Sequence, residues 1–293
     1  MNIPPMLARG LDVARGFLPA RLRGDIPLVP VVKLTGLIGF STPLRPGLTL
    51  SSCARSLDRA FAMRNAKAVA LAINSPGGSA VQSHLIYKRI CALAAEKEIP
   101  VIAFVEDVAA SGGYMIACAA NEIIADVSSI VGSIGVVGGS FGFNRLLDKL
   151  GIERRLYTSG EHKAMLDPFL PEKPEDVERL KAIQREIHES FIALVKESRA
   201  GKLSGPETTL FSGEYWTGAK ALDFGVIDDV GDLRTVLRQR FGENVRTPLV
   251  AAERGLFGRR IPGLLHDRLD GPSLAEDLVS TLEARALWAR YGL

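Results

Sequence analysis

The chain has 293 residues, 47% of them hydrophobic, with 36 Lys+Arg against 33 Asp+Glu. This is enough apolar material for one large domain or two small ones, and a net charge of +3 gives no case for nucleic acid as a partner. The three cysteines, Cys53, Cys91 and Cys118, form no CxxC pair, which argues against a disulfide framework or a zinc site; no cofactor or metal is expected.

Leu7, Leu11, Ala14, Leu18 and Leu22 recur at helical spacing, with arginines at other positions and Pro4-Pro5 where a helix can start. Residues 1–28 therefore read as an amphipathic helix and a Pro-rich linker. Residues 6–22 suit either an anionic membrane surface or a neighbouring subunit. No stretch reaches the ~18–20 apolar residues of a membrane span, and the arginines interrupt any secretory signal. A location in the cytoplasm or peripheral to the inner membrane is expected.

Residues 29–242 alternate between strand and helix patterns. Val29–Ile38, Ala68–Ile73, Val101–Val105, Glu122–Ala125 and Arg155–Thr158 read as strands. Thr49–Arg64, Val81–Glu96, Gly112–Ala120, Arg145–Leu150, Pro174–Ser198, Thr217–Phe224 and Leu233–Phe241 read as helices. Gly132–Gly142 reads as loop plus strand. This alternation predicts an α/β fold with a mainly parallel sheet. Residues 243–293 form an irregular tail and a last amphipathic helix from Ser273, with Glu276 completing a capping box.

Chemistry gathers at the turns after two strands. After Val101–Val105 comes Ala109-Ala110-Ser111-Gly112-Gly113, which places a lone serine at a helix start. Ser111 suits an N-cap, and it equally suits a nucleophile whose developing oxyanion would meet unpaired backbone N–H groups. After Ala68–Ile73 comes Ser75-Pro76-Gly77-Gly78-Ser79. Glycine there lets the backbone approach a ligand closely. Both turns lie at carboxyl ends of parallel strands, so they could face one crevice. The Gly78 N–H is then an oxyanion-hole candidate and the Gly112 N–H a second donor. A base is still needed. His84, His188 and His266 lack a triad context, whereas His162 and Lys163 lie side by side in a loop. A lysine can serve if its surroundings keep it neutral, and the residues alone do not choose between the two.

Five segments in this order resemble the signal peptide peptidase A family of serine proteases, in its short single-domain form. They are NSPGGS at 74–79, VAASGGYMIA at 108–117, VGSIGV at 131–136, SGEHKAMLDPF at 159–169 and WTGAKALDFGVIDDVG at 216–231. The resemblance implies a Clp-protease/crotonase-like spiral of βαβ units and a Ser–Lys dyad. Ser111 matches the nucleophile, Lys163 the general base 52 residues on, Gly78 the oxyanion donor and Ser133 a serine that orients the lysine. It also implies hydrophobic peptide substrates such as residual signal peptides, and a ring-like homo-oligomer that encloses its sites and in which the serine of one subunit meets the lysine of its neighbour. Family members often carry an N-terminal transmembrane anchor; here the arginine-bearing helix is the expected substitute.

Two other readings use the same residues differently. A crotonase-type acyl-CoA enzyme would keep the glycine turn and use carboxylates, for which Glu106 and Asp107 are the nearby candidates. A scaffold with a dead site would need none of Ser111, Lys163 and Gly78.

Overall fold

The computed structural model describes residues 26–39, 47–251, 285–286 and 288–292. The expected N-terminal helix, and the start of the expected C-terminal helix at Ser273, lie outside the described residues.

The elements in chain order are β1 (Val31–Thr35), α1 (Leu50–Phe61), β2 (Val69–Ser75), α2 (Ala80–Lys97), β3 (Val101–Ala110), α3 (Gly112–Ala117), β4 (Glu122–Ala125) and β5 (Ile130–Gly132). There follow α4 (Asn144–Leu150), α5 (Pro174–Ser198), α6 (Glu207–Leu210), β6 (Tyr215–Thr217), α7 (Gly218–Asp223), β7 (Asp229–Val230) and α8 (Leu233–Phe241). The strands form one sheet in the order β1-β2-β3-β4-β7, with β5 on β3 and β6 on β5. Every pairing is parallel except β5 with β6. The expected α/β class with a mainly parallel sheet is what the chain adopts.

The two faces of the sheet are packed by different residues because strand side chains alternate. On β2, Val69, Leu71 and Ile73 join the main core with Ile86, Ile90 and Leu93 of α2 and with Leu57, Ala60 and Phe61 of α1. The intervening Ala68, Ala70 and Ala72 face a smaller core with Phe104, Val236 and Leu237, the last two from α8. Large residues thus face the helical layer, and alanines let α8 approach the other side.

β3 is ten residues long because it changes partner midway. Ile102–Val105 pairs with β4, and Val108–Ala110 pairs with β5. The expected strand ended at Val105, before the charged pair Glu106-Asp107. In the structure those two exposed residues sit in extended backbone, between the stretches that pair with β4 and β5. The strand therefore runs up to the serine itself. The expected strand at 155–158 has no regular structure, and β6, β7 and α6 had no sequence counterpart. Each of those is two to four residues long, too short for a period to register.

A buried ion cluster ties α5 to the sheet. Asp228 accepts bonds from Arg199 Nη1 at 2.6 Å, Lys202 Nζ at 2.6 Å and the Ile123 N–H at 2.8 Å. Burial pushes the Asp228 carboxyl up, but these bonds together outweigh it and hold it below the usual carboxylate range. A depressed carboxylate stabilises the fold above its unfolded pKa, and that share is lost as pH falls through the folded value, below about pH 4. Arg199 is only 1% exposed. Asp228→Asn leaves that guanidinium without its carboxylate and should cost about 3–5 kcal/mol by urea unfolding at neutral pH. The gap to the parent should narrow on acidification. A neutral-pH loss under about 1 kcal/mol would mean that the Gly225 carbonyl, which accepts from Arg199 Nε and Nη2, suffices alone.

Candidate active site

Ser111 occupies the single-residue corner between β3 and α3, at φ 52° and ψ −119°. A positive φ at a residue bearing a Cβ costs on the order of 1–3 kcal/mol. The side chain makes no capping bond, so capping does not account for the serine. Its N–H donates to the Gly132 carbonyl at 2.8 Å, extending the β3–β5 pairing by one step and fixing the corner.

The β2 turn is packed directly on this corner. Gly77, at φ 100°, leaves no room for a side chain: a Cβ there would lie 2.8 Å from the Ala110 carbonyl and 2.9 Å from Ser111 Cβ and Gly112 N. Gly78, at φ 140°, would drive a Cβ into the Ile38 carbonyl. Ile38 bridges this turn by donating to the Gly77 carbonyl at 2.9 Å and accepting from the Ser79 N–H at 2.8 Å. The Gly78 N–H takes part in neither bond. Ser75 Oγ donates to the Gly36 carbonyl at 2.7 Å, and Ser79 caps α2 by accepting from the Gln82 N–H.

Gly78, Ser111, Gly112 and Ser133 line one cavity of about 680 Å³. Ser133 follows β5 at φ 54°, is 7% exposed, and donates its N–H to the Glu214 carbonyl at 2.6 Å. Four of the five sequence-selected residues thus meet. The fifth does not: Lys163 is exposed on a turn at 161–166 and is not among the residues lining this cavity. His162, beside it, is also exposed and outside the cavity.

The cavity has walls that the sequence reading missed. Ile187, His188 and Phe191 come from α5, and Arg290 and Tyr291 from the C-terminal segment. The α5 residues carried a signal, since Ile183, Ile187, Phe191 and Leu194 recur at helical spacing, but the pattern does not say what the face meets. His188 Nε2 lies 3.0 Å from the Ile134 carbonyl, which can only accept, so Nε2 carries the hydrogen. Nothing in the sequence marked Tyr291. Its hydroxyl donates to Ser133 Oγ at 3.3 Å.

Glu106 and Asp107 line a different cavity, of about 780 Å³, along with Lys33 and Arg234. Asp107 accepts from Asn74 Nδ2 at 2.5 Å and Glu106 pairs with Lys33 at 3.6 Å. Neither carboxylate is placed to act beside Ser111.

Two proteins of the genus Brucella resemble almost the whole chain. One, from Brucella abortus (strain 2308) and named Na(+)/H(+) antiporter NhaA, is 54% identical over 284 residues, 94% of this chain and 38% of its own length. Its counterpart from Brucella melitensis biotype 1 gives the same figures. The Arabidopsis thaliana protein named Serine protease SPPA, chloroplastic, is 38% identical over 168 residues, 57% of this chain and 24% of its own. The chain therefore spans well under half the length of these relatives. Among the described residues no helix is long and apolar enough to cross a membrane. A solved membrane-bound stomatin-specific protease aligns over 78% of this chain and 99% of its own at 20% identity, with a TM-score of 0.47. The sequence profile described as Peptidase family S49 matches residues 94–243, a span that holds Ser111, Ser133 and Lys163, and the chain belongs to that family.

Proposed function

We propose that this chain is a serine endopeptidase in which Ser111 of one copy works with Lys163 of a neighbouring copy. The observation that carries the reading is the Ser111 corner: a serine hydroxyl with no capping bond, on strained backbone, in a cavity that Gly78 and Gly112 also line. The Lys163 amine takes the Ser111 proton as Oγ attacks the peptide carbonyl carbon. The carbonyl electron pair moves to oxygen, where Gly78 and Gly112 N–H donate to it. Collapse breaks the C–N bond, and the ammonium returns its proton to the leaving amine. Water, deprotonated by the same amine, then releases the acyl group and restores Ser111.

Two features support sharing the dyad between copies. Lys163 lies outside its own chain's cavity, and the segment that carries it is rich in uncovered apolar residues. Val137, Phe141 and Tyr157 are 72%, 74% and 90% exposed, and Leu146, Leu150 and Ile152 are exposed with them. A second copy of this chain would cover them. For substrate, the cavity wall offers Met115, Val136, Val137, Ile187 and Phe191, which favours apolar peptide side chains, as in residual signal peptides. The sequence pattern of residues 6–22 favours work at a membrane surface. Anionic liposomes should sediment the full chain, salt should weaken that binding, and a chain starting near Val29 should stay in solution. Equal sedimentation of both would refute the membrane role.

The test of the central reading is labelling by a fluorophosphonate, mapped by mass spectrometry. Adduct on Ser111 is the expected result. Absence of adduct from a folded, assembled sample would leave the scaffold reading in its place.

A further inference from the structure

We propose that Tyr291 is a positioning residue of this site: its hydroxyl fixes Ser133, and through Ser133 the amine that receives the Ser111 proton. The proposal rests on the Ser111–Lys163 reading.

Tyr291 lies between exposed Arg290 and Gly292, yet it is only 8% exposed. Its ring packs with Val108 and Ala110, the residues of β3 that lead into Ser111, and with Ile130 and Trp288. Tyr215 meets it edge-on with centroids 5.0 Å apart, and the Tyr215 hydroxyl donates to the Arg290 carbonyl at 3.0 Å. The phenol is thus held by β3, β5 and β6, and the first two of these build the Ser111 corner. Its hydroxyl points at Ser133 Oγ.

Ser133 has little other freedom. Its backbone is fixed at positive φ and its N–H is tied to Glu214, which leaves the hydroxyl rotor. A hydroxyl has one hydrogen and two acceptor lone pairs. With the Tyr291 hydrogen on one lone pair, the other remains for an amine N–H. An amine held that way can aim its own lone pair at Ser111. Without Tyr291 the Ser133 hydroxyl loses the bond that holds it in place, and the amine loses a fixed acceptor. An oxygen that already accepts one bond also stabilises an ammonium less, which favours the neutral base. Both effects have the same sign. The other titratable groups facing this space are His188 from α5, Arg290 from the C-terminal segment and Tyr215 from β6, with Glu214 holding Ser133 through its carbonyl. Removing one hydroxyl leaves all of them in place.

The test is a cycle of Tyr291→Phe, Ser133→Ala and the double variant in the full, assembled chain. The readout is the rate of Ser111 modification by a fluorophosphonate from about pH 6 to about pH 10. Tyr291→Phe should slow labelling about 3- to 10-fold near neutrality, the range of one lost hydrogen bond, and move the acid limb of the profile to higher pH by about half a unit or more. In the Ser133→Ala background it should add nothing, because the hydroxyl then has no partner. A parent-like rate and profile would overturn the proposal. So would a loss that adds in full to that of Ser133→Ala, the signature of a merely structural ring. Failure of the underlying reading looks different: the parent itself would show no adduct on Ser111, and the proposal would fall with it.

Discussion

Ser111→Ala should remove peptidase activity by about a thousandfold or more while leaving the melting temperature close to the parent's. The size follows from the role. Loss of a nucleophile abolishes the acyl-enzyme route, and only binding and the oxyanion donors remain. The fold should tolerate the change because the hydroxyl caps no helix and the N–H bond to Gly132 is backbone. Hydrolysis of an internally quenched apolar peptide is the measurement. Activity within about threefold of the parent would remove Ser111 from the chemistry.

Lys163→Ala should be as damaging as Ser111→Ala, and His162→Ala should keep most of the activity. A base must be unprotonated to accept the serine proton, so parent activity should rise with pH. Mixing the two dead variants separates a shared site from a self-contained one. With random assembly and one repeated contact, about a quarter of the neighbour pairs carry both native residues. Activity should recover toward that fraction after subunit exchange. No recovery after confirmed exchange would place the whole site in one chain, where His188, which lines the same cavity as Ser111, is the candidate base. Loss of activity in His188→Ala with retention in Lys163→Ala would complete that reversal.

How much of this was legible in the sequence differs by element. The long helices α2 and α5 were readable because burial on one face imposes a period over many residues, and β1 to β4 because strands covered on one or both faces leave short apolar runs. Thr49 and Ser79 cap α1 and α2, roles that the helical periodicity alone did not mark. The second half of β3 was hidden because Glu106 and Asp107 carry the composition of a turn, and pairings on either side of them, with β2 and β4 before and with β2 and β5 after, keep them extended. At the site, Gly77, Gly78 and Ser111 were legible because close backbone approach restricts residue type. Tyr291 was not, because its partner Ser133 is 158 residues away and the bond follows from tertiary packing alone. The distance between Lys163 and the Ser111 cavity was expected only through the resemblance, which implies a dyad shared between subunits; the residues themselves imply one site without saying how many chains build it.

The backbone at Ser111 also bears on how such a site could be lost. The left-handed φ belongs to the corner between β3 and α3, so it persists whatever side chain stands there. Glycine would adopt it freely, and alanine would keep the cost with none of the chemistry. A lineage released from the need for a hydroxyl would gain on the order of 1 kcal/mol by drifting to glycine at this position. Serine here is a poor conformational choice with a good chemical reason, and glycine in its place would be the expected relic of a retired site.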